Sequence, residues 1–500
     1  MTAPVSEPGR TLNDRDVARD DQPRNLRMLL GVGGAYLLLQ QTLLSLHRAV
    51  SWDEAVYLSQ VTPGMQAMPF LASRARGITL LAWPATQLGA SLAAVRLAFS
   101  VASSGALVAA YAVWIPIVGI GAPVAAVAFG STWLALLYGS EVMPNLWVAL
   151  LAVAATGMAV RRIAGARVGH VWIASVLLAL LGLFRPPDSV PVLLAVLAAG
   201  VGVDRLRMRE RALLFAGALA GWIPWLAEMS VRFGGPLEAI RSATNAAQVG
   251  TTSIGDRVIR HLAVTNGPVL GPPGSPQVPI GGVVWWLALM TFASIGLLHT
   301  WRGPTFRPLL AATLAGAGLA AEYLVLVEGV APRFLLPAYA LLSIPASVGI
   351  VQSFRLLRRR PAAAVFFALL VATPWFVWQL GTADRMEAQT NDSRVPLQQV
   401  ASAMRNAAAG RPCSFASTDA FPQIAYAARC DGRPVDADFP VAPADLESLA
   451  MDGGRVFLVT QEAEPPQTAN TVPRLIRVVS APRGELWFLY ELVAPSALHS

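Results

Sequence analysis

The sequence contains no lysine, so all 38 of its strongly basic residues are arginine. That absence excludes a P-loop lysine, a Schiff-base lysine and a lysine general base. Charge is scarce as well: 14% of the 500 residues, against roughly 25% in soluble globular chains. With 55% hydrophobic residues and a mean hydropathy of +0.52, a cytosolic soluble enzyme is excluded. Cysteine occurs twice and the 41 glycines and 37 prolines are dispersed, which rules out a disulfide scaffold and a disordered chain. The five histidines (His47, His170, His261, His299 and His499) show no metal-ligand spacing. The net charge of +8 is spread as arginines between apolar runs, a pattern of GC-rich coding and not of a nucleic-acid surface.

The apolar runs organise the chain. Crossing ~30 Å of hydrocarbon takes about 20 apolar residues. Candidate spans lie near 28–46, 90–111, 114–138, 143–160, 169–184, 188–203, 211–230, 282–300, 308–327, 334–353 and 361–380, about eleven in all. The expected fold class is therefore a polytopic α-helical membrane protein, with residues 1–26 a disordered cytoplasmic tail. Arginines then collect on one side, at Arg161, Arg162 and Arg167, at Arg205, Arg207, Arg209 and Arg211, at Arg302 and Arg307, and at Arg355, Arg358, Arg359 and Arg360. The positive-inside rule makes that side cytoplasmic. The opposite side receives long loops at 48–89 and 231–281, and an odd span count puts residues 382–500 outside. This last segment alternates helical and strand-like runs and is expected as a small extracytoplasmic α/β domain, following a transmembrane module over 27–381. Cys413 and Cys430 both fall in it and suit one disulfide in an oxidising compartment.

Just past the first span stands Ser51-Trp52-Asp53-Glu54-Ala55-Val56-Tyr57. Carboxylates next to hydrocarbon require a reason. One reason is a capping box, Ser51-x-x-Glu54, which accounts for Glu54 better than for Asp53. The other is chemistry: a helix N-terminus keeps Asp53 ionised, as a general base must be. Neighbouring helical residues point about 100° apart, so at most one of the two carboxylates faces a reacting atom. Arg96 and Glu322 are the clear charges within spans.

A first span followed at once by Asp-Glu-x-x-Tyr resembles the GT-C glycosyltransferases, the superfamily of protein O-mannosyltransferases, aminoarabinose transferases and arabinosyltransferases. Three further segments agree with it: Tyr138-Gly139-Ser140-Glu141-Val142-Met143-Pro144, Phe184-Arg185-Pro186-Pro187-Asp188, and Pro332-Arg333-Phe334-Leu335-Leu336-Pro337. Val56 stands where some relatives carry arginine, and Arg74-Ala75-Arg76-Gly77 replaces their Pro-Pro segment.

The resemblance implies an enzyme that transfers a sugar from a polyprenyl-phosphate donor to an envelope glycan, lipid or protein acceptor on the outer face of a bacterial cell membrane, with inversion. Asp53 is the expected base, with Glu54 beside it. Arg333, then Arg185, Arg74 and Arg76, are expected on the donor phosphate, since guanidinium groups grip phosphate bidentately. An interfacial arginine reaching lipid headgroups is the plain alternative for each. Glu141 is open to three roles: positioning the acceptor, binding a divalent cation with Asp53, or opening the fourth span. Tyr57 and His261 are accessory candidates, and the glycine- and proline-rich run from Gly267 to Pro276 belongs to a loop that often covers the active site in this family. No cofactor is compelled, a divalent cation being the one candidate. Arabinose or mannose on decaprenyl phosphate fits relatives from GC-rich bacteria. A lipid-sugar flippase and a non-catalytic envelope scaffold are the competing classes. The first lacks midplane charges and mirrored halves, and the second leaves Asp53, Glu141 and Arg333 unexplained as a set.

Overall fold

The computed structural model describes residues 13–202, 206–246, 253–269, 277–327, 329–357, 361–435, 444–465, 468–482 and 484–495. Arg205, Arg358, Arg359, Arg360 and the Gly271–Pro276 part of the long loop lie outside them. Helices dominate, in the order α1 (Asn13–Leu43), α2 (Trp52–Ser59), α3 (Gly77–Gln87), α4 (Leu92–Ala112), α5 (Ile115–Val118), α6 (Gly121–Gly130), α7 (Trp133–Ser140), α8 (Pro144–Ile163), α9 (Gly169–Phe184) and α10 (Ser189–Ala199). There follow α11 (Met208–Arg232), α12 (Pro236–Ala246), α13 (Ile254–Ala263), α14 (Ile280–Thr300), α15 (Phe306–Leu326), a 3-10 turn (Pro332–Leu335), α16 (Leu336–Leu357) and α17 (Pro361–Ala408). The C-terminal part holds β1 (Cys413–Ser417), α18 (Phe421–Ala428), β2 (Asp431–Pro434), α19 (Ala444–Met451), β3 (Arg455–Thr460), β4 (Val472–Ser480) and β5 (Leu486–Val493).

The protein is a multi-pass membrane protein, but its spans are less uniform than the hydropathy suggests. Among the described residues six helices are long and apolar enough to cross a bilayer, and a seventh crossing results if α6 and α7, bent by 75°, count as one. Helices α9 and α10 have 16 and 11 residues. At 1.5 Å per residue, an 11-residue helix covers only about 16 Å. The run 114–138 breaks at Gly119, with φ 56°, and again at Ser131-Thr132. The backbone groups freed at the second break are met by one distant and one local partner: Gln379 accepts from the Trp133 amide at 3.0 Å, and Thr132 Oγ1 accepts from the Ala135 amide at 3.2 Å. Residues 13–26, expected as a disordered tail, begin α1. Helix α17 runs unbroken through Gly381, where a span end was expected. One glycine costs a helix only about 1 kcal/mol, which 48 consecutive residues absorb.

The chain forms two compact units, Met1–Gln40 with Val101–Gly139 and Asn145–Leu380, and Gln41–Ser100 with Ser140–Pro144 and Gly381–Ser500. In the first, helices approach closely through small residues, as membrane helices must when lipid is as apolar as leucine. A Cβ on Gly296 would meet the Pro345 carbonyl oxygen at 2.1 Å, and one on Gly349 the Phe292 carbonyl at 2.0 Å. This is the contact between α14 and α16.

The second unit contains a five-stranded sheet in the order β2-β1-β3-β5-β4. β1 runs parallel to β2 and β3, while β5 is antiparallel to β3 and β4. Val456, Leu458, Tyr490 and Leu492 form its core with Leu446 and Ala450 of α19. β2 contains Gly432 and Pro434 and carries no alternating apolar pattern, so nothing in the sequence marks it as a strand. Cys413 and Cys430 are joined in a disulfide, with Cα atoms 4.9 Å apart and the two residues 17 positions apart in sequence. A closed loop of that length removes denatured-state entropy equivalent to about 3 kcal/mol. The C-terminal segment, expected as a domain by itself, shares this unit with residues 41–100 and 140–144.

Candidate functional site

Helix α2 starts with both halves of a capping box. Ser51 Oγ accepts from the Glu54 amide at 3.2 Å, and Glu54 Oε2 accepts from the Ser51 amide at 3.1 Å. Glu54 is then consumed by other partners. Arg96 Nε donates to Oε1 at 3.1 Å and Arg96 Nη2 to Oε2 at 2.5 Å, and the Val142 amide reaches Oε1 at 3.3 Å. Both side chains are 0% exposed. Burial pushes the Glu54 carboxyl up, but Arg96 above all, then Arg48 and Arg394, pull it down to about 2. Arg96 also donates to the carbonyls of Leu46, Arg48 and Ala49, folding that turn around itself. Glu54, expected beside Asp53 in catalysis, is therefore a buried structural anion. With none of its side chain exposed, it presents no lone pair to solvent.

Asp53 points elsewhere and keeps 21% of its side chain exposed. Arg74 Nη2 donates to its Oδ1 at 2.6 Å. The Arg74 guanidinium also lies 5.0 Å from the centre of the Tyr57 ring, one helical turn on from Asp53. Tyr57 packs edge-on against Phe70 at 5.9 Å, and Arg76 stacks 4.0 Å over Phe70 while donating to Gln60 Oε1 at 3.0 Å. Burial lowers the Arg74 pKa, Tyr57 and Asp53 raise it, and the net direction is up. Four of the expected residues (Asp53, Tyr57, Arg74 and Arg76) thus form one partly open cluster. Phe70 and Gln60, which complete it, carry no sequence signal of their own.

Glu141 does not open α8, which starts three residues later at Pro144. It is 2% exposed and paired with Arg48 Nε at 3.5 Å and Arg394 Nη1 at 3.2 Å. Arg48 further reaches Glu387 Oε2 at 3.5 Å and donates to Ser140 Oγ at 2.9 Å. Burial and Arg96 lower the pKa of Arg48, against Glu141 and Glu387. Sequence reasoning missed Arg48, Glu387 and Arg394, since none belongs to a motif and their partners lie far along the chain. The expected sharing of a cation by Asp53 and Glu141 does not fit this arrangement, because each carboxylate is already matched to arginine. No group of three or more metal-ligating side chains occurs among the described residues.

The first unit holds the other expected residues. Arg185 caps the end of α9, with Nε 3.6 Å from Asp188 Oδ1 and its guanidinium 5.1 Å from the Tyr323 ring centre. The Tyr323 hydroxyl lies 2.9 and 2.8 Å from the two Asp188 carboxylate oxygens. Phe334 stacks on Tyr323 at 5.2 Å, with Arg185 5.8 Å and Arg333 5.2 Å from the Phe334 ring centre. Arg185 and Arg333, 148 positions apart, therefore meet at one aromatic ring. His261, expected to touch substrate, is 1% exposed. Burial and then Arg260 lower its pKa to about 4, so it is neutral and closed off at physiological pH.

No protein-family model matches this sequence, and no curated protein does. Solved structures do. One is ArnT from Cupriavidus metallidurans bound to undecaprenyl phosphate, at 15% identity and TM-score 0.63, covering 92% of this chain and 97% of that one. The same protein in its apo state matches over the same shares, at 11% identity and TM-score 0.61. The archaeal oligosaccharyltransferase AglB from Archaeoglobus fulgidus, in complex with an inhibitory peptide and a dolichol-phosphate, matches at 14% identity and TM-score 0.54, covering 87% of this chain and 69% of that one. The chain shares the fold of these structures over most of its length.

Proposed function

We propose that this protein is an integral membrane glycosyltransferase that moves a sugar from a polyprenyl-phosphate donor to a hydroxyl of an envelope glycan, lipid or protein acceptor. The observation that carries the reading is the division of labour in the Asp53-Glu54 pair: Glu54 anchors the turn from below through Arg96, and Asp53 is left partly open at the helix N-terminus. The similar structures support it, since they bind undecaprenyl phosphate or dolichol-phosphate. The acceptor oxygen attacks the anomeric carbon from the face opposite the phosphate. A new C–O bond forms, the sugar–phosphate C–O bond breaks, and the acceptor proton passes to the Asp53 carboxylate. The configuration inverts. Arg74 holds the carboxylate in place, and its ion pair weakens when a phosphate competes for the same guanidinium. Arg74 is then the positive charge beside the departing phosphate, and Arg185 and Arg333, of the first unit, are separate candidates for a donor contact.

The test is release of free polyprenyl phosphate from a panel of radiolabelled polyprenyl-phosphate sugars, with envelope glycan fractions as acceptors. Donor-dependent release supports the reading and names the sugar, with arabinose and mannose as the first to try. Absence of donor binding by folded protein would favour the flippase or the scaffold. Arg185→Ala and Arg333→Ala are each expected to weaken donor binding by roughly ten- to a hundredfold, the range for one charged hydrogen-bonding partner; unchanged binding in both would remove them from the phosphate site.

We place the second unit's sheet on the extracytoplasmic side of a bacterial cell membrane, with the N-terminus in the cytoplasm. The Cys413–Cys430 disulfide supports this, because such bonds persist in oxidising compartments. In intact cells an impermeant reductant followed by an impermeant maleimide should label both cysteines. Labelling only after lysis would reverse the orientation.

A further inference from the structure

The second unit also holds a half-open cavity of about 430 Å3 that the transfer chemistry above leaves unused. Its walls are the turn Leu46–Val50, the start of α4, one face of α17 and one face of α18. Arg394, Gln398 and Arg405 recur at helical spacings that bring them within about 40° of one another around the α17 axis. Gln423 and Tyr426, three apart on α18, join His47, Arg48 and Ser91 in the polar lining. Three guanidinium groups line this space and no carboxylate does. Arg48 and Arg394 are matched by Glu141 and Glu387 behind the wall, whereas Arg405 has only neutral partners among the described residues.

Two of these groups have unused capacity. Both contacts of Arg394, to the Ala49 carbonyl at 3.3 Å and to Glu141 at 3.2 Å, go through Nη1, so Nε and Nη2 remain for a ligand. Gln423 Oε1 is buried with no hydrogen-bond partner. A buried amide left in that state costs about 1–3 kcal/mol, which a ligand hydroxyl would relieve. The cavity is graded: Arg48 is buried in it, whereas Gln398 and Arg405 are exposed. An anionic group held by Arg394, with hydroxyls met by Gln423, Gln398 and Tyr426, describes an acidic sugar.

We infer that this cavity binds a sugar unit bearing a carboxylate or phosphate, and that it is the subsite for an anionic acceptor glycan. The assignment as an acceptor subsite rests on the glycosyl-transfer reading; the binding itself does not. The wall residues Ala49 and Val50 directly precede the Ser51 cap, so a ligand here lies against the turn that leads to Asp53.

The experiment is calorimetric titration of the full-length protein in detergent with digalacturonate, glucose 6-phosphate, inorganic phosphate and neutral cellobiose. The acidic sugars should bind at least tenfold more tightly than cellobiose, and the tighter of the two identifies carboxylate or phosphate as the natural anion. Arg405→Gln, at an exposed position, should weaken the acidic sugars roughly tenfold, and Arg394→Gln at least as much. Gln423→Leu should weaken the sugars and leave inorganic phosphate unchanged. Equal binding of cellobiose, phosphate binding as tightly as glucose 6-phosphate, no binding, or no effect of Arg405→Gln would each overturn the inference. Asp53→Asn should bind the acidic sugars like the parent. Asp53-dependent transfer without acidic-sugar binding would therefore sink this inference alone, and acidic-sugar binding without any donor-dependent transfer would sink only the catalytic reading.

Discussion

Asp53→Asn is expected to reduce sugar transfer by about 10²- to 10⁴-fold, the range for loss of a positioned general base, with donor binding and folding retained. Asparagine keeps the shape and still accepts the Arg74 hydrogen bond, but its amide cannot take the acceptor proton. Asp53 is only half-buried, and its pair with Arg74 is partly open to solvent, so the thermal midpoint should change little. Single-turnover release of polyprenyl phosphate by parent and variant, on matched amounts of folded protein, makes the comparison. Full transfer by the variant would mean that the proton leaves by another route, and Asp53 would join Glu54 as part of the helix cap.

The second large effect lies beneath it. Glu54→Gln should destabilise the protein by about 3–5 kcal/mol, because it leaves the Arg96 guanidinium buried without its counter-charge. Activity should vanish with the fold, in contrast to Asp53→Asn, where activity falls alone. The same pair predicts a pH dependence. Glu54 has its carboxyl held at about 2 in the folded chain against an ordinary 4.5, so its stabilisation is complete above pH 4.5 and is lost as pH falls toward 2. The difference amounts to about 3 kcal/mol. Thermal unfolding from pH 6 to pH 2 should show the fall in the parent and a flatter profile in Glu54→Gln. Equal slopes would mean that other carboxylates dominate acid unfolding.

The two effects separate because of a partner 42 residues away. In the sequence, Asp53 and Glu54 are equivalent up to the capping spacing, which favours Glu54 for structure. Burial of Arg96 against Glu54 and not Asp53 follows from where α4 packs. The same holds for Glu141, whose three sequence readings were acceptor, cation and helix start. Arg48 and Arg394 make it the centre of a buried ion network instead.

Composition and local pattern were sufficient for the membrane class, the helical character of each apolar run, the cap at Ser51, and the mixed helical and strand character of the C-terminal segment, because each depends on residues close in sequence. The pair of cysteines was legible for the same reason: there was only one way to join them. Local pattern does not report breaks that distant groups stabilise. The bend between α6 and α7 needs Gln379, and the meeting of Arg185 with Arg333 needs the Phe334 ring between them. Nor does it decide which charges are buried, since that depends on counter-charges brought by other helices and on the cost of leaving any ion unpaired away from water. The membrane class of the protein was thus a property of its sequence, and which of its carboxylates are buried as counter-ions was a property of its packing.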